Sequence, residues 1–381
     1  MLENLEIAAR VEPSPFGRPA VEFDGTTGTA TTPGIKGQPN FDEFLEQAGF
    51  DPSQYEIVGT PRTSRWQQRE GGEWLTAYRF TFKLRNADID LPLLWATARK
   101  GVSKPATKTN DSTLVVLWSD LQLGKVDNRG NTETLLQRVE ETVATLVAKA
   151  RKEKPKKVLF CDVGDIIENF VNAADQAQLQ SNDLSIQQQV DLATTIVWDV
   201  LKRLVPHTEQ IVYASVGSNH CQMRVNRQRV FKPVDDWGIH IGRTLARLAH
   251  ETKLPIKFIE PQPHDESLAY DVFGDGYHIL GLWHGHQASR PDGVPDWWRK
   301  QAFGRQPIAD ATIGVSGHFH HLQVRELGST PQGHSRYWIQ AATLDNGSSW
   351  YRLNAGEDSQ PGLVCFTLHK QQPFTGTVYK L

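Results

Sequence analysis

Carboxylate, amide and imidazole side chains recur in this sequence directly after apolar runs, where their types suit metal ligation. STLVVLW (112–118) leads into Ser119, Asp120, Leu121 and Gln122, and KVLFC (157–161) leads through Asp162 and Val163 into Gly164 and Asp165. QIVYASV (210–216) is followed by Gly217, Ser218, Asn219 and His220. YHILGLW (277–283) runs into His284, Gly285 and His286, and ATIGVS (311–316) into Gly317, His318, Phe319 and His320. Histidine is absent before His207 although the chain holds 13 of them, and neutral imidazole is the commonest metal-ligating side chain. A mixed oxygen and nitrogen donor set suits Mn, Fe or Zn. The chemistry such a set serves is phosphate-ester hydrolysis, in which two cations about 3.5–4 Å apart neutralise the phosphoryl oxygens during in-line attack. Taken singly, Asp120 or Asp165 reads equally well as a cap or turn residue after a strand. The ordered set carries the argument.

Elements that could bring these residues together are legible in the apolar pattern. The runs at 112–118, 157–161 and 210–216 read as buried strands. A helical stripe of Leu135, Leu136, Val139, Val143, Leu146 and Val147 separates the first two. Another, with Ile196, Val197, Val200, Leu201 and Leu204, precedes the third. Strand, crossover helix and parallel strand make the βαβ unit, whose sites lie beyond the carboxyl ends of strands. From about residue 256 strands dominate (IKFI, LAYDVF, YHILGLW, ATIGV, YWIQAA, GLVCFTL), which predicts a second sheet packed on the first. Upstream, residues 1 to about 30 read as a loose arm. FDEFLEQAGF (41–50) reads as a helix, and YEIVG, EWLTAYRFTFKL and LPLLWAT as strands of a small α+β unit. The stretch 99–112 has linker composition, which predicts domains at 1–107 and 108–381.

The order Asp-x-Gln, Gly-Asp, Asn-His, His-Gly and Gly-His-x-His resembles that of the calcineurin-like metallophosphoesterase superfamily. SDLQLGK (119–125) is most similar to the opening motif of its recombination-repair exonuclease branch, and the whole chain resembles phage-encoded members. The resemblance spans about residues 113 to 322. It implies an α/β fold, a two-layer β-sandwich flanked by helices, with the small N-terminal unit as an addition. It implies two divalent metal ions, Mn favoured, with Mg, Fe or Zn as alternatives. Asp120, Gln122 and His320 would serve the first ion, Asp165 would bridge, and Asn219, His284 and His318 would serve the second. His220 would act on the leaving oxygen, which makes it and Asp165 the catalytic pair. Two departures stand out: Ser218 separates Gly217 from Asn219, and Gln122 stands where the family places histidine. A neutral amide oxygen there favours the harder ions. Glu168, three residues after Asp165, is a candidate further ligand, and His286 a ligand or a neighbour of one.

For substrate, Arg224, Arg227 and Arg229 follow His220 closely, and guanidinium forks suit phosphate. Trp297 and Trp298 beside Arg299 and Lys300 form the aromatic and basic mixture that stacks bases; the alternative is that both tryptophans close a core. The expected activity is a DNA nuclease, exonuclease-like. The alternatives are a small-molecule phosphomonoesterase or cyclic-nucleotide phosphodiesterase, and a weakened domain kept for binding. A net charge of −3 excludes a globally basic nucleic-acid binder. Hydrophobic and charged shares of 39% and 22% fit neither a disordered nor a membrane chain. Three scattered cysteines and an acidic N-terminus without an apolar core lead us to expect a cytoplasmic protein.

Overall fold

A computed structural model describes residues 20–23, 27–35, 39–52, 55–67, 69, 71–84, 103–170, 182–225, 228–229, 232–349 and 359–381, with isolated positions at 96, 101, 352–353 and 356. The chain divides into two compact units, Met1–Asp88 and Ile89–Leu381, so the basic stretch 99–112 falls in the second. In the first, β1 (Ala20–Phe23), β2 (Thr27–Thr31), β3 (Tyr55–Gln67) and β4 (Trp74–Leu84) form an antiparallel sheet in the order β1-β2-β4-β3. The expectation of a loose arm up to residue 30 is therefore corrected for 20–23 and 27–31, which form two strands. The helix Phe41–Gln47 supplies Phe41, Phe44 and Leu45 to a small core with Phe80 and Phe82. It ends before Gly49, whose φ of +87° favours glycine. The expected strand LPLLWAT lies outside the described residues except Ala96.

The second unit is built from two packed sheets. One comprises β5 (Asn110–Trp118), β6 (Pro155–Asp162), β7 (Gln210–Ser215), β10 (Ile256–Ile259), β16 (Val364–His369) and β17 (Tyr379–Lys380), in the order β10-β7-β6-β5-β16-β17. Its first four strands are parallel and the last two antiparallel. The other comprises β11 (Ser267–Asp271), β12 (Ile279–Trp283), β13 (Ile313–Ser316), β14 (Gln323–Ser329) and β15 (Ser335–Gln340), ordered β11-β12-β13-β15-β14. A two-residue hairpin, β8 (Arg224–Val225) with β9 (Gln228–Arg229), stands apart from both.

The period of two in β5 explains the layering. Val115 and Leu117 face Leu280, Leu282, Ile313 and Val315 of the second sheet, while Leu114, Val116 and Trp118 face helices Thr132–Glu153 and Ile186–Leu204. Both faces are covered, so the strand is apolar throughout rather than alternating. Trp283 and Trp338 on the far side of the second sheet meet Val294 and Trp298 of the helix Gly293–Phe303. The result is a β-sandwich with helices on both outer faces. Burying each large apolar side chain here is worth about 1.5–3 kcal/mol. Cys161, Cys221 and Cys365 are buried and free. Among the described residues, no helix is long and apolar enough to cross a membrane.

Candidate metal centre

The registers align the strand ends. Trp118 pairs with Asp162 and Asp162 with Ser215 in one sheet, and Leu282 pairs with Val315 and Ser316 with Gln340 in the other. Five parallel strand ends therefore release their following residues at one edge of the sandwich. The loops after β5 and β6 are laced together by Asp120 N–H to Gly164 O at 2.9 Å and Gln122 N–H to Asp165 O at 2.9 Å. The loops after β12 and β13 are joined by Gly317 N–H to His284 O at 2.7 Å. Gly164 has φ +106°, and a Cβ there would come 2.5 Å from the Cβ of Ser218 and 2.6 Å from Nδ1 of His284. Glycine is what lets three loops close around Asp165.

Asp120, Gln122, Asp165, Asn169, His318 and His320 all adopt positive φ, between 47° and 73°. Left-handed backbone costs a non-glycine residue of order 1 kcal/mol or more. Six such residues at one edge mark the place where the fold gives up local comfort to aim side chains.

Ligand atoms of Asp165, His284 and His318 all lie within 4.8 Å of one another, a group that could hold a metal ion. Nε2 of His284 is 3.0 Å from Oδ2 of Asp165 and 2.9 Å from Oδ1 of Asn219. The other ring nitrogen of His284 lies 2.8 Å from the carbonyl of Val163, a contact that fixes the imidazole and leaves Nε2 facing the cluster. The buried Oδ2 of Asp165 has no aligned hydrogen-bond donor, although the imidazoles of His284 and His220 lie 3.0 and 3.9 Å away. A buried carboxylate oxygen left open in this way, ringed by imidazole and amide donors, fits a divalent cation. Asp165 is pinned from behind, its N–H donating to Ser218 Oγ at 2.9 Å, while Ser218 N–H donates to Asp236 at 2.9 Å. Ser218, between Gly217 and Asn219, thus supports the turn.

On the other side of Asp165 the pattern differs. Both carboxylate oxygens of Asp120 accept from the His318 N–H, at 3.1 and 2.9 Å, and Oδ2 also accepts a short bond from Ser119. His320 points Nε2 at Asp120 Oδ1 from 3.5 Å and Nδ1 at Asp345 Oδ2 from 3.2 Å. Gln122 reaches Lys125 and His220: Oε1 accepts from Lys125 Nζ at 2.6 Å, and Nε2 lies 3.2 Å from Nε2 of His220. Lys125 also donates to Asp345 at 2.9 Å. Glu168 is buried and faces His220, with its carboxylate 3.3 Å and its carbonyl 3.0 Å from Nδ1.

The electrostatics follow from burial and pairing. Burial opposes a charged His284, but the Asp165 carboxylate outweighs it and lifts the imidazole to about 9. For His220 burial is likewise outweighed, by Glu168 and then Asp165, giving about 9. For His320, Asp345 and Asp120 do the same and raise it to about 10. Burial and the neighbouring charge of His284 push His318 down to about 3, so it stays neutral. Burial works against an ionised Asp345, yet Lys125 and His320 hold its carboxyl well below the usual range.

Of the sequence-derived residues, Asp120, Gln122, Asp165, Glu168, Asn219, His220, His284, His318 and His320 meet at this edge. The ring of His286 is 5.4 Å from His284 and 6.3 Å from His318. Arg224 is half-buried and pairs across the hairpin with Arg229, of which only the backbone is described, while Arg227 lies outside the described residues. The tryptophans require a correction. They sit on the helix Gly293–Phe303; Trp298 is buried, donates to Ile308 O at 3.0 Å and lies 5.5 Å from Trp283. Trp297 is half-buried, with its ring 5.7 Å from the same indole. The helical period places Trp298 in the core, where it cannot stack on a base. Sequence reasoning also missed Lys125 and Asp345. Asp345 follows β15, which runs parallel to β13, so the strand-end rule that found the others applies to it as well.

No family model matches the chain, and neither does any curated protein. Among solved structures, it is similar to a conserved uncharacterized protein of Streptococcus pneumoniae TIGR4, described as a predicted phosphoesterase. That likeness has 10% identity and a TM-score of 0.28, covering 72% of this chain and 99% of that one. It is also similar to a protein of unknown function from Aquifex aeolicus, with 10% identity and a TM-score of 0.23, covering 55% and 80%.

Proposed function

We propose that this chain is a metal-dependent phosphodiesterase, with DNA as the favoured substrate. The observation that carries the reading is the convergence of Asp165, Asn219, His284 and His318 around an open carboxylate oxygen, with His220 beside it. Asp120 and His320, 3.5 Å apart, would hold a second ion. Divalent ions, Mn favoured, would neutralise the phosphoryl oxygens and orient the ester for in-line attack. The chain's own residues do the rest. The Glu168 carbonyl and carboxylate aim His220 through Nδ1, leaving Nε2 between the Gln122 amide at 3.2 Å and Asp165 at 3.9 Å. A protonated His220 can give its proton to the departing oxygen. Asp165 and Asp120 hold the positive groups of the edge together. The Arg224 and Arg229 hairpin, a few residues past His220, supplies cationic residues suited to a polyanion backbone.

The test is hydrolysis of single- and double-stranded DNA and of a small chromogenic diester, with Mn, Mg, Zn or no metal. Metal-dependent cleavage of DNA is expected. A second reading, a small phosphate ester as substrate, is favoured by the burial of Trp298, which removes a stacking surface. Cleavage of the chromogenic ester with none of DNA would establish that reading. No hydrolysis with any metal would overturn both.

A further inference from the structure

Gln122 stands beside Asp120 at the first ion position, and its amide could turn either face toward a cation. Lys125 decides which. An ammonium group has only donors, so the Gln122 atom 2.6 Å from Lys125 Nζ must be the carbonyl oxygen. The NH2 group is then left facing His220, and an amide NH2 does not ligate a cation. Lys125 is held in place from its other side by Asp345, which also receives His320 Nδ1 at 3.2 Å. Asp120, for its part, already accepts from His318 N–H and Ser119. Among the described residues, the acidic and imidazole atoms that converge as a metal group are those of Asp165, His284 and His318; Asp120 and His320 are not among them.

We propose that the chain supplies one of the positive charges of this site itself: the Lys125 ammonium, clamped between Gln122 and Asp345, replaces a ligand at the first ion position. The protein then holds one divalent ion tightly, at Asp165, Asn219, His284 and His318, and a second ion weakly. This rests on the metal-dependent reading above and sets the number of ions that reading requires. Loss of the outer partners that orient a ligand alone weakens metal affinity by about 10–100-fold, so a gap of at least that size is expected between the two ions. A buried ammonium costs desolvation, which the Asp345 carboxylate and the Gln122 carbonyl offset.

The experiment is Mn(II) titration of the metal-free full chain, read by calorimetry and by electron paramagnetic resonance. One equivalent should bind first, as an isolated ion with uncoupled hyperfine lines, and a second only at about 10–100-fold higher concentration. The double variant Gln122→His with Lys125→Met, its fold checked by thermal melting, should tighten the second ion toward the first. Two ions of matching affinity in the wild type, or an exchange-coupled pair below one equivalent, would overturn the inference and leave the functional reading standing. A folded double variant whose second ion binds no tighter would also overturn it. No Mn uptake by the wild type, or uptake unchanged in Asp165→Asn, would bring down the functional reading as well.

Discussion

The two sides of Asp165 are made from similar residues and prepared in opposite ways. Toward His284 and His318 the donors converge on an open carboxylate oxygen, His318 is neutral, and the internal pairs are those of His284 with Asp165 and with Asn219, themselves ligand atoms. Toward Asp120 and His320 every group already has a partner: Asp120 with His318 N–H and Ser119, His320 with Asp345, Gln122 with Lys125. A ligand set is therefore not defined by residue type. Its readiness depends on whether the surrounding chain leaves its lone pairs free, and one lysine three residues from Gln122 is enough to change that.

The largest effect should come from the residue both sides share. Asp165→Asn removes the central negative charge, so hydrolysis should fall to background and bound metal should drop. Metal analysis of the purified variant checks this, and a variant that kept both would separate Asp165 from the centre. Next, His220→Ala should lower turnover by about 10²–10⁴-fold, as for a lost general acid, while metal content stays as in the wild type. If the site emptied instead, His220 would be a ligand and its assignment would fall.

Trp298→Ala tests the support behind the better-prepared side. Its indole packs against Trp283, the residue before His284, and sits 3.0 Å from where a Gly314 Cβ would be. Truncation should cost about 3–5 kcal/mol of stability in denaturant unfolding. DNA affinity measured under folding conditions should not change, because this side chain lies in the core. A selective loss of DNA binding with unchanged stability would restore the stacking role.

The smallest effect is a pH profile. In the metal-free fold His284 and His220 stand at about 9 and His320 at about 10, above the ordinary 6.5. Raised values of this kind add stability that is complete below pH 6.5 and is lost as pH climbs through 9 to 10. Metal must displace those protons from its ligands, so Mn binding should tighten over the same window. Melting curves of metal-free and Mn-loaded protein should therefore diverge as pH rises. Parallel curves would mean that the imidazoles are not paired with these carboxylates.

Much of this was legible in the chain. Apolar runs followed by Asp, Asn and His located the strand ends, because buried strands leave one continuous signature and a strand end must release its next residues at the sheet edge. The helical stripe at 135–147 and the strands from 256 onward were readable for the same reason. Arg227 lies outside the described residues, as does the side chain of Arg229, so of the three arginines expected to meet phosphate the structure places the side chain of Arg224 alone. Other features required the tertiary structure. Trp298 reads the same in sequence whether it closes a core or stacks on a ligand, and only packing against Trp283 and Ile308 distinguishes the two. Sequence order determined which side chains reach the edge. Which way the Gln122 amide turns was decided by Lys125 and by Asp345, which lies 220 residues farther along the chain. The orientation of an amide is a property of its hydrogen-bond partners, and those exist only after the sheets have packed.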